Sequence, residues 1–330
     1  MKKHHHIFLF SLIGLVLSAN ILLLANIYIE KVLLAKPVTF GVSFAPRYAK
    51  ELGLDPKKTY TSILEDLQVK NIRLSAYWDE IEPEKDHFDF SGLDGYVDQA
   101  RIHQAKVIMG VGYKLPRWPE CRSPLWLDSS NLRQHQLVMV EETIKHFDLN
   151  PTISAFQIEN EPLLNFGICP PPDKDFFIKE MNLVRSLTKK PLIVTDSGEL
   201  RTWIDPMKLS DIFGTTLYRK VHNSFFGDLY YPLPPWHYRI KSELVRKFLA
   251  PNNQKTIVPE LQAELWAAAP LDTLPLQTQL DRFSVDQLKE TAKFARRTGF
   301  DEFYLWGVEW WYYLKMFGHP EYLEYAKSIF

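Results

Sequence analysis

From residue 38 onward the chain alternates short, nearly unbroken apolar runs with stretches in which apolar residues recur every three or four positions. The runs at Thr39–Phe44, Ile72–Tyr77, Lys106–Gly112, Ile153–Glu159, Leu192–Asp196, Ile212–Leu217, Thr256–Glu260 and Glu302–Gly307 predict eight strands. Continuous apolar character is what strands covered on both faces require. The intervening stretches predict amphipathic helices. Tyr60, Ile63, Leu64 and Leu67 share one helical face, and Leu93, Val97 and Ala100 share another. The best-marked helix opens at Ser284, with Gln287 completing a capping box and Phe283 and Leu288 placed for a hydrophobic staple. Gly299 supplies its stop. Eight strand–helix alternations favour a closed parallel barrel over an open sheet. No Gly-rich phosphate loop follows the first strand, which argues against a dinucleotide fold. The expected fold is therefore α/β, a (β/α)8 TIM barrel over residues 38–330.

Ahead of the barrel, Lys2 and Lys3 precede an apolar run from Ile7 to Ile29. Such a run is long enough to cross a hydrocarbon layer of about 30 Å, and longer than the apolar part of a cleaved signal peptide. The expectation is a transmembrane signal anchor at 7–29, with a cytoplasmic stretch at 1–6 and a short linker at 30–37. Lysines at the start favour an exported catalytic part, although Lys31 and Lys36 on the far side weaken the asymmetry. The membrane thus enters as a partner, and a cleaved, secreted form is the alternative.

Composition narrows the function further. The formal net charge of -1 gives no electrostatic reason to expect nucleic acid. The ten histidines form no HExxH-like pair, and two cysteines alone make no structural zinc site, so no metal or other cofactor is expected. Nine tryptophans serve a core, but some also suit the flat C–H faces of sugars.

Barrel enzymes carry their chemistry at the C-terminal ends of the strands. After strand four the chain reads Phe156-Gln-Ile-Glu-Asn-Glu-Pro162, and after strand seven Ile257-Val-Pro-Glu-Leu-Gln-Ala-Glu264. Strands four and seven face each other across a barrel mouth, so Glu161 and Glu260 can converge on a bound sugar. Glycoside cleavage needs such a pair: one carboxyl protonates the leaving oxygen while the other attacks the anomeric carbon or activates water. Glu264 is the alternative nucleophile.

Asn160-Glu161-Pro162 with a glutamate ending strand seven resembles the retaining glycoside hydrolases of the (β/α)8 superfamily that includes cellulases and β-galactosidases. Tyr77-Trp-Asp-Glu-Ile-Glu-Pro83 followed by Phe88-Asp-Phe-Ser91 and Leu93-Asp94 is similar to their segment after strand two. Leu305-Trp306-Gly307 resembles their eighth strand, and Tyr218 their tyrosine beside the nucleophile. The likeness runs from about Val38 to the C-terminus. It implies Glu161 as acid/base, Glu260 as nucleophile supported by Arg73 and Tyr218, Asn160 on the sugar 2-hydroxyl, and Trp306 as a sugar platform. Two departures stand out: Thr216 where a His-x-Tyr pattern is common, and Leu261-Gln262 where an aromatic and Gly often follow the nucleophile.

The loop Tyr113-Lys-Leu-Pro-Arg-Trp-Pro-Glu-Cys121 follows strand three and rims the same mouth, so Tyr113, Arg117 and Trp118 are candidate sugar contacts, as is Glu264. Cys169 lies in the neighbouring loop after strand four. Adjacent rim loops can meet at disulfide distance, which predicts Cys121–Cys169. Trp310, Trp311, Tyr312 and Tyr313, after strand eight, suit either a sugar-stacking wall or a packed lid. The function expected is retaining hydrolysis, or transfer, of a β-linked oligo- or polysaccharide outside the cytoplasm. An inverting hydrolase and an inactive glycan-binding barrel are the rivals.

Overall fold

A computed structural model describes residues 37–330 apart from 224, 226, 251–253 and 268. Eight parallel strands close into a barrel: β1 (Thr39–Ser43), β2 (Asn71–Ser75), β3 (Lys106–Val111), β4 (Ile153–Ile158), β5 (Leu192–Asp196), β6 (Ile212–Leu217), β9 (Lys255–Gln262) and β10 (Glu302–Trp306). Closure is made by β1 pairing with both β2 and β10.

Each strand buries both faces, and the alternation sorts the side chains into two clusters. Val107, Met109, Phe156, Ile158, Leu192 and Val194 join the large core under the helices. Ile108, Ala155, Ile193, Ile257 and Tyr304 form a separate cluster inside the barrel. Arg73 lies in register with Ile108, and Gln157 with Ile193, so both polar residues occupy inward positions of the pleat. There they are sealed, at 2% and 0% exposure. That placement puts a guanidinium at the floor of the mouth.

The helices follow their local signals. Asp55 caps the helix Pro56–Glu65 by accepting from Lys58 N at 3.1 Å, and Pro56 occupies its first turn, where a missing N–H costs nothing. Tyr60, Ile63 and Leu64 are its buried face. Ser284 and Gln287 make both bonds of the capping box of the helix Val285–Arg297.

Several expectations are corrected. The fold expected from the sequence was a barrel preceded by a transmembrane helix; the barrel is what the described residues form. Among the described residues no helix is long and apolar enough to cross a membrane, and the segment 7–29 lies outside the described residues. The seventh barrel strand runs past Glu260 to Gln262, because Leu261 and Gln262 continue pairing with Leu305 and Trp306 of β10. Tyr77 lies beyond β2, at the start of the short helix Trp78–Ile81. An antiparallel hairpin, β7 (Lys220–Asn223) with β8 (Gly227–Tyr230), stands in the loop after β6. Pro235 opens the helix Pro235–Leu244. Trp310–Tyr313 are buried in the helix Val308–Met316. The Trp310 indole donates to Gln279 and that of Trp311 to the Ala263 carbonyl, so the cluster is packing and not a wall.

Candidate active site

The two carboxylates named from the sequence lie at the C-terminal end of the barrel, both nearly sealed: Glu161 is 7% exposed and Glu260 5%. Their surroundings differ. Arg73 reaches from β2 to place Nη1 2.9 Å from Glu260 Oε1, and the Tyr218 hydroxyl donates to Glu260 Oε2 at 2.9 Å. Arg73 itself is fixed by donating to Gln157 (2.8 Å) and to Asn160 Oδ1 (3.0 Å). Burial, and after it the charge of Glu260, push the Tyr218 phenol well above its ordinary value, so it remains a donor.

Among the described residues no cation pairs with the Glu161 carboxylate. The Thr216 hydroxyl donates to its Oε1 at 3.4 Å. Thr216, the first departure from the family pattern, thus sets a neutral hydroxyl beside this acid. Burial, then the negative charges of Glu260 and Glu120, push the Glu161 carboxyl well above the ordinary range against the opposing Lys114. One carboxylate is held by a cation and a phenol, while burial and like charge push the pKa of the other upward. That contrast is how a site assigns base and acid to two like groups.

The backbone carrying Glu161 is unusual. Glu159 and Glu161 have φ of 57° and 44°, left-handed values that non-glycine residues rarely adopt. The conformation is over-determined by its contacts. Glu161 N donates to Thr195 Oγ1 (2.8 Å), and Asn160 N donates to the Lys114 carbonyl (2.6 Å). Glu159 turns outward, where its carboxylate accepts from Tyr113 N (2.7 Å), Lys114 N (2.5 Å) and Gln136 (2.8 Å). Gly112, at φ 142°, leaves room for it; a Cβ there would stand 2.5 Å from Glu159 Oε1.

Sequence reasoning missed three residues that complete the mouth, two in the loop after β3 and one in the helix after β10. Lys114 donates Nζ to the carbonyls of Glu161 (3.1 Å) and Leu164 (2.8 Å) and lies 3.3 Å from Glu120 Oε2. Glu120 accepts from Asn160 Nδ2 at 3.2 Å, and burial pushes its carboxyl up to about 7. Glu309, in the helix after β10, accepts from Ala45 N and, at 3.1 Å, from Arg117. The only cue in the sequence was position in a loop after a barrel strand, which many spectator residues share.

Arg117 changes the reading of Trp306. Its guanidinium lies between Tyr48 and Trp306, 3.7 Å and 4.0 Å from the ring centres, and pairs with Glu264 and Glu309. Burial alone would lower the Arg117 pKa, but the two glutamates outweigh it and keep the cation charged. The Trp306 face under Arg117 is closed to a sugar, and the cavity between Arg73, Trp306 and Arg117 is about 10 Å³, room for about one water. Glu264 is engaged by Arg117, whereas Arg73 and Tyr218 converge on Glu260. Tyr113 packs edge-on to Trp78 with its hydroxyl 2.9 Å from Ser123, while Trp118 stands 62% exposed at the rim. Cys121 and Cys169 are joined in a disulfide that ties the loop after β3 to the loop after β4. Among the described residues no group of three His, Cys, Asp or Glu is arranged to hold a metal ion.

A closed parallel barrel with two buried glutamates at its C-terminal mouth is an architecture that glycoside hydrolases share. Comparison with known proteins agrees. A glycoside hydrolase family 42 model, described as beta-galactosidase, matches residues 56–127, the segment from the helix before β2 to the loop after β3. A β-galactosidase from the Antarctic haloarchaeon Halorubrum lacusprofundi is similar in structure, with a TM-score of 0.55 and 14% identity over 82% of this chain and 52% of its own. Endo-glycoceramidase II from Rhodococcus sp., captured as a lactosyl-enzyme intermediate, gives a TM-score of 0.54 at 14% identity over 82% of this chain and 73% of its own. A GH113 β-1,4-mannanase gives 0.51 at 14% identity, over 89% of this chain and 97% of its own. The chain spans about half the length of the two β-galactosidase structures from Halorubrum lacusprofundi and Bacillus circulans. No curated protein matches it significantly in sequence. The chain is a glycoside hydrolase-like (β/α)8 barrel.

Proposed function

We propose that the protein hydrolyses, or transfers, a β-linked glycoside by retaining double displacement, with Glu260 as nucleophile and Glu161 as acid/base. The observation that carries this reading is the opposed environment of the two carboxyls. Arg73 and Tyr218 hold Glu260 ready to attack, while burial and the Glu260 charge keep Glu161 protonated. Glu161 donates its proton to the departing oxygen as Glu260 forms the glycosyl-enzyme bond. Once Glu260 is esterified its negative charge is gone, the Glu161 pKa falls, and Glu161 can take a proton from the incoming water. In this reading Asn160, fixed by Arg73 and Glu120, holds the sugar 2-hydroxyl. The Cys121–Cys169 disulfide supports a site of action outside the cytoplasm, where such bonds persist.

Three measurements test the reading. Glu161→Ala and Glu260→Ala should each lose at least about a thousandfold in kcat/KM on aryl β-glycosides. Proton NMR of the first-formed anomer should show retention of configuration; inversion would exclude the double displacement. A 2-deoxy-2-fluoro β-glycoside should label the peptide containing Glu260 at that residue, and label on Glu264 would move the nucleophile there.

A further inference from the structure

Trp118, Phe166 and Trp266 come from three different loops and meet in one row. The Trp118 and Phe166 ring centres are 6.2 Å apart at 73°, and those of Phe166 and Trp266 are 6.0 Å apart at 54°. Trp266 then meets Tyr218 edge-on at 4.8 Å, and the Tyr218 hydroxyl is the one bonded to Glu260. The row therefore begins at the nucleophile and runs outward to the rim. Exposure rises along it: Tyr218 is buried, Trp266 half-buried, Phe166 37% exposed and Trp118 62% exposed. Ile168, at 67%, extends the apolar surface. Exposed apolar side chains gathered at the mouth of a site mark a ligand surface more often than scattered ones do.

The row is built to be rigid. Ile168 N donates to the Pro119 carbonyl at 2.9 Å, and Cys121–Cys169 closes the same pair of loops three residues beyond Trp118 and Phe166. Gly167 lets the two backbones touch: with φ 81°, a Cβ there would be 2.7 Å from the Pro119 oxygen. A surface held in its binding geometry beforehand loses little entropy when a ligand arrives.

The loop that carries Phe166 points to the part of a substrate the row faces. Phe166 and Ile168 follow Glu161 on the same loop, and Glu161 is the group that meets the departing oxygen. The Trp306 face that could stack a sugar carries the Arg117 guanidinium instead. The accessible apolar surface is thus on the leaving-group side. We propose that Trp118, Phe166 and Trp266 form a leaving-group subsite for an aglycone with a flat apolar face, and that this subsite sets substrate preference. An aryl ring and the C–H face of a pyranose share that chemistry. The inference rests on the glycosidase reading above.

The test compares three substrates with one glycone: a 4-nitrophenyl β-glycoside, a β-linked disaccharide and the β-glycosyl fluoride, whose leaving group has nothing to stack. For Trp118→Ala and Phe166→Ala, the ratio of kcat/KM on the aryl glycoside to that on the fluoride should fall about tenfold relative to wild type, from loss of one ring's apolar contact. A matching fall in the disaccharide-to-fluoride ratio identifies a sugar as a natural aglycone; a fall with the aryl substrate alone identifies an aryl-like one. Ratios unchanged in both variants, with wild type active, overturn the subsite and leave the glycosidase reading intact. Calorimetric titration with a phenyl 1-thio-β-glycoside, which is not hydrolysed, covers an inactive wild type. Binding that Trp118→Ala weakens about tenfold keeps the subsite while hydrolysis fails; no binding overturns both.

Discussion

Replacing Glu120 by Gln is expected to leave stability nearly unchanged near pH 4 and to raise it by about 3 kcal/mol above about pH 7. In the native barrel, burial moves this carboxyl from 4.5 to about 7, and its neighbour Glu260 adds to the burial while Lys114 opposes it. As pH climbs through that window the unfolded chain gives up its proton first. The native state then binds more protons than the unfolded one, so wild-type stability falls with rising pH. Gln has no proton to lose and keeps an amide oxygen for the bond from Asn160. Lys114 loses no charge partner at low pH, where Glu120 is neutral in the wild type, and it retains the Glu161 and Leu164 carbonyls. The same substitution removes a negative charge that helps keep Glu161 protonated, so the alkaline limb of kcat/KM, which reports the acid of the free enzyme, should move to lower pH. Urea unfolding followed by circular dichroism between about pH 4 and about pH 9 measures the first effect, provided both proteins unfold with the same m-value. Stability curves that run parallel at all pH values would refute the assignment of a raised carboxyl to Glu120. An alkaline limb that stays put would refute its coupling to Glu161.

Three further outcomes follow from the same geometry. Tyr218→Phe deletes a 2.9 Å bond to the Glu260 carboxylate and should cut kcat/KM roughly 10- to 100-fold, read by steady-state kinetics beside an unchanged circular dichroism spectrum. Gly112→Ala forces a Cβ into Glu159 at a φ of 142° and should cost more than about 2 kcal/mol, seen as a fall in urea midpoint; a neutral result would mean that Glu159 can move away freely. Cys121→Ser with Cys169→Ser opens a covalent loop of sequence separation 48 and should lower stability by about 4 kcal/mol on the chain-entropy account. An unchanged midpoint would show that the bond braces only the rim.

Much of the barrel was written locally. Unbroken apolar runs separated by helical periodicity identify strands buried on both faces, and Ser284 with Gln287 marks a helix start through contacts three residues apart. Glu161 and Glu260 were legible because barrel topology places the residues ending every strand at one mouth. The pattern could not show the hairpin of Lys220–Asn223 with Gly227–Tyr230, whose second strand is short and mostly exposed and so carries no apolar run, nor that β9 runs on to Gln262, which depends on partners in β10. The membrane helix expected at 7–29 lies outside the described residues, among which no helix is long and apolar enough to cross a membrane.

The chemistry of the pair was decided in three dimensions. Arg73 meets Glu260 across 187 residues of chain, and Arg117 meets Glu309 across 192, after closure of the barrel and folding of the loop after β3. Lys114, Glu120 and Arg117 are three charged residues in one loop, and nothing in their order says which faces the acid, which holds Asn160 and which covers Trp306. Residue types and strand ends follow from short-range periodicity, which a sequence carries outright. Protonation and side-chain direction depend on burial and on distant charges, and these exist only once the chain has closed on itself.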